Sequence, residues 1–97
     1  MANLLWLQLY ANHKLARHET RQCDSAREAR EVMVEMCREL DIPNPMWLES
    51  HEREFDAFRR AIFLPAHFVE DVPFERMVVE WIEQGANRKS NDPRNSF

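Results

Sequence analysis

Ninety-seven residues, 44% hydrophobic and 31% charged, are the length and composition of one ordinary globular domain. A lone glycine rules out Gly-rich phosphate loops and leaves the turns to Asn, Asp and Pro. The net charge of −4 is uneven: residues 24–84 carry 15 acids against 7 bases, an acidic body that opposes general nucleic-acid affinity.

Leu4-Leu5-Trp6-Leu7-Gln8-Leu9-Tyr10 opens the chain as a nearly continuous apolar run. It is far shorter than the about 20 residues that span a bilayer. It has neither the preceding basic residues nor the following small-residue cleavage site of a secretory signal. The run therefore reads as a strand, and the protein is expected in the cytoplasm with no membrane association. Leu5, Leu7 and Leu9 fall on one face; Leu4, Trp6, Gln8 and Tyr10 fall on the other. Apolar residues on both faces predict a strand interior to a sheet or at the seam of an oligomer. Cys23 and Cys37 form no CxxC and are expected to be reduced thiols.

Ala11-Asn12-His13-Lys14 is a polar break, and Asn tolerates the left-handed backbone of a tight hairpin. Leu15–Cys23 then reads as a second strand. It carries Arg17, Glu19 and Arg21 on one face and His18, Thr20 and Gln22 on the other, as suits an exposed edge. Residues 25–40 predict a helix. Ser25-Ala26-Arg27-Glu28 has the capping-box pattern. Ala29, Val32, Met33, Met36, Cys37 and Leu40 form one apolar stripe. Pro43 lies beyond the helix end, because the residue before proline avoids helical dihedrals.

Met46-Trp47-Leu48 reads as a short strand. Ser50 is placed to cap a second helix from His51 to Phe63, anchored by Phe55, Phe58 and Ile62. Ala66–Pro73 is an irregular connector. Phe74–Glu83 is the last strand, with Met77, Val79 and Trp81 on one face and Val78, Glu80 and Ile82 on the other. It is expected beside the first strand, since both are apolar on two faces. The order β-β-α-(β)-α-β predicts an α+β fold: a two-layer sandwich, a mostly antiparallel sheet of three to four strands with two helices on one face. Residues 1–84 form the single globular domain; 85–97 are polar, lack periodicity and read as a disordered tail.

No constellation amounts to a catalytic centre. His51 and Glu54 stand i, i+3, but one such pair is ordinarily two solvated residues of a first helical turn, and no metal-ligand spacing surrounds it. Cys23 sits at a strand–helix junction, where a thiol pKa falls, yet His18 points to the opposite face of its strand. The acids Glu49, Glu52, Glu54, Asp56, Glu70 and Asp71 read as solvated faces. No catalytic residue, metal or cofactor is assigned, and the chain reads as a non-enzyme.

Aromatics carry what functional signal there is. If the helices cover only one sheet face, Trp6 and Tyr10 lie on the other as a surface for a protein partner or a second copy of the chain. Trp47, His51 and His67 combine an aromatic surface with titratable rings in loop-like positions, the alternative being a ligand pocket or small enzyme site there. A third reading joins Lys14, Arg17 and Arg21 with Trp6 or Tyr10 as a nucleic-acid surface.

The segment Phe63-Leu64-Pro65-Ala66-His67-Phe68-Val69-Glu70-Asp71-Val72-Pro73-Phe74, followed by Met77 and Trp81, resembles small uncharacterised bacterial proteins. Trp6-Leu7-Gln8-Leu9-Tyr10 is similar to their opening. The resemblance spans residues 4–83 and implies a bacterial cytoplasmic protein. It carries over no functional residue.

Overall fold

The computed structural model describes residues 3–83; the tail expected at 85–97 lies outside them. The described chain forms β1 (Leu4–Ala11), β2 (Lys14–Gln22), α1 (Ala29–Leu40), α2 (Glu49–Phe58), β3 (Arg60–Phe63) and β4 (Arg76–Ile82), with 3-10 turns at Ala26–Glu28 and Pro65–His67. The four strands make one antiparallel sheet in the order β2-β1-β4-β3. This is the predicted α+β architecture, and β4 lies beside β1, the placement its two-sided apolar pattern favours.

The β1–β2 hairpin turns through Asn12 and His13, at φ 53° and 63°, the paired left-handed residues of a tight two-residue turn. Leu9 faces Arg17 but Tyr10 faces Leu15, so Ala16 is the extra residue of a bulge. Leu5, Leu7 and Leu9 are buried beneath the helices and pair across the sheet with Trp81, Val79 and Met77. α1 turns Ala29, Met33, Met36, Cys37 and Leu40 into this core, as the stripe predicts. The helix ends on Asp41 at φ 60°; the Ile42 N–H donates to the Cys37 carbonyl at 3.0 Å, the long closing bond of a left-handed helix end.

Three local expectations are corrected. Ser25 makes no side-chain cap; residues 26–28 form a 3-10 turn, and the Ser25 carbonyl accepts the Glu28 N–H at 3.1 Å. Met46–Leu48 is not a strand; Pro45 forms a single bridge with Phe68, and the Met46 N–H donates to the His67 carbonyl at 2.7 Å. The second helix begins at Glu49, with Leu48 rather than Ser50 at its N-cap, and stops at Phe58 rather than Phe63. Arg59, at φ 56°, reverses the chain, and Arg60–Phe63 pairs with β4 as a short edge strand. The cause is tertiary. Ala61 and Phe63 alternate into the core opposite Val79 and Met77, and this pairing outweighs the helical spacing of Phe55, Phe58 and Ile62. Phe58 is left exposed.

Candidate functional site

The sheet has two unlike faces. α1 contacts β1 and β2, and α2 contacts β3, all on the side of Leu5, Leu7 and Leu9. The opposite face carries Trp6 and Tyr10, both half-buried, with Leu4, Gln8, Ile62, Val78 and Ile82. No described helix lies over it. Its aromatics are held in place by their neighbours. The Trp6 indole N–H donates to His18 Nδ1 at 3.3 Å, and the His18 ring meets the indole edge-on at 6.1 Å. The Tyr10 hydroxyl donates to Gln8 Oε1 at 2.7 Å, and the Arg76 guanidinium lies 4.1 Å from the Tyr10 ring centre. These contacts fix two large rings on one face, at either side of Gln8, with low entropy left to lose on association, the property that makes aromatics effective anchors.

The basic residues of the hairpin do not join them. Arg17 and Arg21 pair across the sheet with Leu9 and Leu5, so they project toward the helices. Arg21 bonds Glu35 and Glu39 of α1, and the Arg17 guanidinium donates to the Leu40 carbonyl at 3.5 Å. The nucleic-acid reading needed these cations beside Trp6 and Tyr10; the sheet separates them.

Trp47, His51 and His67 do come together, through Phe63. The His51 ring stacks on Phe63 at 4.3 Å, Trp47 lies 5.6 Å from Phe63 and 5.7 Å from Phe55, and His67 meets His51 edge-on at 4.6 Å. The result is a packed aromatic cluster. His51 is buried, contrary to the reading of a solvated first turn, and its partner Glu54 accepts the Ile62 N–H at 3.4 Å. Both histidines sit at the third position of a helical turn, where Nδ1 accepts the N–H of the residue that opens it. Leu48 donates to His51 at 3.0 Å and Leu64 to His67 at 2.9 Å. Burial, then the neighbouring His67, lowers the His51 pKa; Glu54 and a backbone hydrogen bond to Ile62 oppose the shift.

A cleft of about 550 Å³ opens on the other side of Trp47. It runs between the start of α1, α2 and the end of β4, and His51 and His67 do not line it. Two indoles flank it, each under a guanidinium: Arg30 is 5.9 Å from the Trp47 ring centre, and Arg59 is 5.9 Å from that of Trp81. Both indole N–H groups are taken, by Glu52 Oε1 at 2.6 Å and by the Cys23 carbonyl at 2.9 Å. Asp24, Asp56 and Glu83 also line the cleft, yet Arg27, Arg30 and Arg59 form no ion pair among the described residues. Sequence reasoning placed Trp81 on the correct strand face but gave it no role. That Trp81 and Trp47 line one cleft depends on how the end of β4 sits against α2 and the connector before it, which no local pattern reports.

Among the described residues no three His, Cys, Asp or Glu side chains converge as a metal site. The two thiols are buried and unpaired. Burial, reinforced by Glu28 and Asp24, raises the Cys23 pKa against an opposing backbone hydrogen bond at Ser25, the reverse of an activated nucleophile. No helix among the described residues is long and apolar enough to cross a membrane. The chain matches no family model, no curated protein and no solved structure.

Proposed function

We propose that this chain is a small cytoplasmic protein-interaction module of bacterial type, docking through the helix-free sheet face and in the first instance onto a second copy of itself. One observation carries the reading: Trp6 and Tyr10, flanked by Leu4, Ile62, Val78 and Ile82, share a sheet face over which no described helix lies. Half-exposed, pre-ordered aromatics on a flat surface are the usual centre of a protein interface. Light scattering across a concentration series tests the self-association, and a monomer at high micromolar concentration removes it. Trp6→Ala then weakens association by about 30-fold, the effect of one interface anchor, with the thermal midpoint kept.

A second reading has its own observation, the cleft between Trp47 and Trp81. Guanidinium groups without carboxylate partners and carboxylates without ion-pair partners share one aromatic-walled groove. That lining suits a small zwitterion, with its anionic end at Arg30 and Arg59, its cationic end at Asp56 and Glu83, and its body against the indoles. Titration of free amino acids against the tryptophan fluorescence of a Trp6→Phe variant tests it. Saturable quenching that disappears in Arg59→Ala supports the site, and a flat response across the set excludes it.

A further inference from the structure

His51 and His67 repeat one arrangement on two connectors. Each closes a helical turn by accepting a backbone N–H at Nδ1, from Leu48 and from Leu64. The rings meet edge-on at 4.6 Å, and the Met46 N–H donates to the His67 carbonyl at 2.7 Å, so the two connectors are bound to each other. An imidazole accepting at Nδ1 is neutral, with its proton on Nε2. Protonation puts a donor against a donor at each turn, and two cations at this separation repel. We propose that His51 and His67 form a proton-operated latch, which clasps the 45–48 and 64–68 connectors over Phe63 at neutral pH and releases them on acidification.

The groups around the latch favour this response. The titratable groups facing His51 are His67 from the connector and Glu54 from its own helix. β3 presents the Phe63 ring and the Ile62 backbone, and the preceding connector presents Leu48 and Trp47, none of which titrates. Glu54 is the carboxylate that faces His51, and it is engaged by the Ile62 N–H. Burial and the facing His67 hold the His51 pKa below its ordinary value. Opening the latch uncovers Phe63, which is fully buried, beside Met46, Leu48 and Leu64, which are already exposed. Acidification therefore creates a contiguous apolar surface at this end of the molecule.

Amide hydrogen exchange on the whole chain tests the latch. Between pH 7.5 and 5.5, after correction for intrinsic rates, protection of the Leu48 amide falls about 10-fold or more, the effect of one pH unit of acceptor titration, and protection of the Leu64 amide falls with it. Leu7 and Val79 in the central strands change less. Nitrogen NMR at pH 7.5 finds both rings with the proton on Nε2. His51→Gln/His67→Gln keeps an acceptor at each turn, as glutamine does in a capping box, and abolishes the local pH dependence. If the double variant does not fold, His67→Gln alone abolishes it at Leu64. The latch is overturned by a proton on Nδ1 of either ring at pH 7.5. An equal loss of protection at Leu7 and Val79, or a pH response that survives the glutamine substitutions, overturns it as well.

Discussion

Glu54 Oε1 accepts the backbone N–H of Ile62 at 3.4 Å. Ile62 is the residue of β3 paired with Val78, and its N–H turns away from β4 into a side chain of α2. The helix thus closes the outer edge of a four-residue strand that would otherwise present unpaired backbone to other chains. The pair His51 and Glu54, which look like solvated neighbours in the sequence, are both committed to this edge.

Glu54→Ala leaves the Ile62 N–H without its acceptor and costs about 1 kcal/mol, the net value of one such bond. Glu54→Gln, which retains an acceptor, costs less. Urea unfolding followed by circular dichroism separates the two. Equal losses would mean that the charge of Glu54, rather than its acceptor, matters.

Global stability falls as the solution is acidified through the histidine range. The His51 pKa is lowered in the folded chain from an ordinary value of 6.5. Between the two values the unfolded chain binds more protons, so stability rises with pH across that window. The contribution is fully present above pH 6.5 and is lost as pH drops toward the folded value. Urea midpoints at closely spaced pH values measure this slope, and His51→Gln flattens it.

Both thiols resist modification in the native protein. Burial pushes the Cys37 thiol up to about 11, and burial with nearby carboxylates raises Cys23. A thiol-reactive chromophore at pH 8 therefore labels the folded chain slowly and takes up two equivalents once guanidinium is added. Rapid labelling of one thiol in the native state would show that α1 lifts from β1 far more often than its packing implies.

Arg59 holds a left-handed backbone at φ 56°, a conformation that costs a non-glycine residue about 1 kcal/mol. Arg59→Gly and Arg59→Ala both remove the guanidinium from Trp81, but only glycine relieves the backbone. The glycine variant is thus more stable than the alanine variant by about 1 kcal/mol or slightly less, since glycine also gains freedom in the unfolded chain. Thermal unfolding of the pair measures the difference. Equal midpoints would place the turn at Arg59 outside the cooperative unit.

The elements legible in the sequence were those whose signal is local. Asn12 marks a left-handed turn, the Ala29–Leu40 stripe marks a helix face, and the two-sided apolar pattern of Leu4–Tyr10 marks a central strand. Residues 55–63 read as one helix, and that reading fails after Phe58 for a definite reason. Phe55, Phe58 and Ile62 fit a helical period, while Ala61 and Phe63 fit a strand period. Only Met77 and Val79 across the ladder select the second. Similarly, Trp6 and Tyr10 were placed on their face by alternation alone, whereas the cleft of Trp47, Trp81, Arg30 and Arg59 joins four segments far apart in the chain.

By itself the sequence determined the α+β class, the hairpin and the first helix. These follow from periodicity and turn chemistry, which act over a few residues. The tertiary structure alone decided where α2 gives way to β3, that His51 is buried against Phe63, and that His67 stands against His51. Those outcomes depend on which distant backbone and ring each side chain meets, and no short-range pattern encodes a partner about a dozen residues away or more.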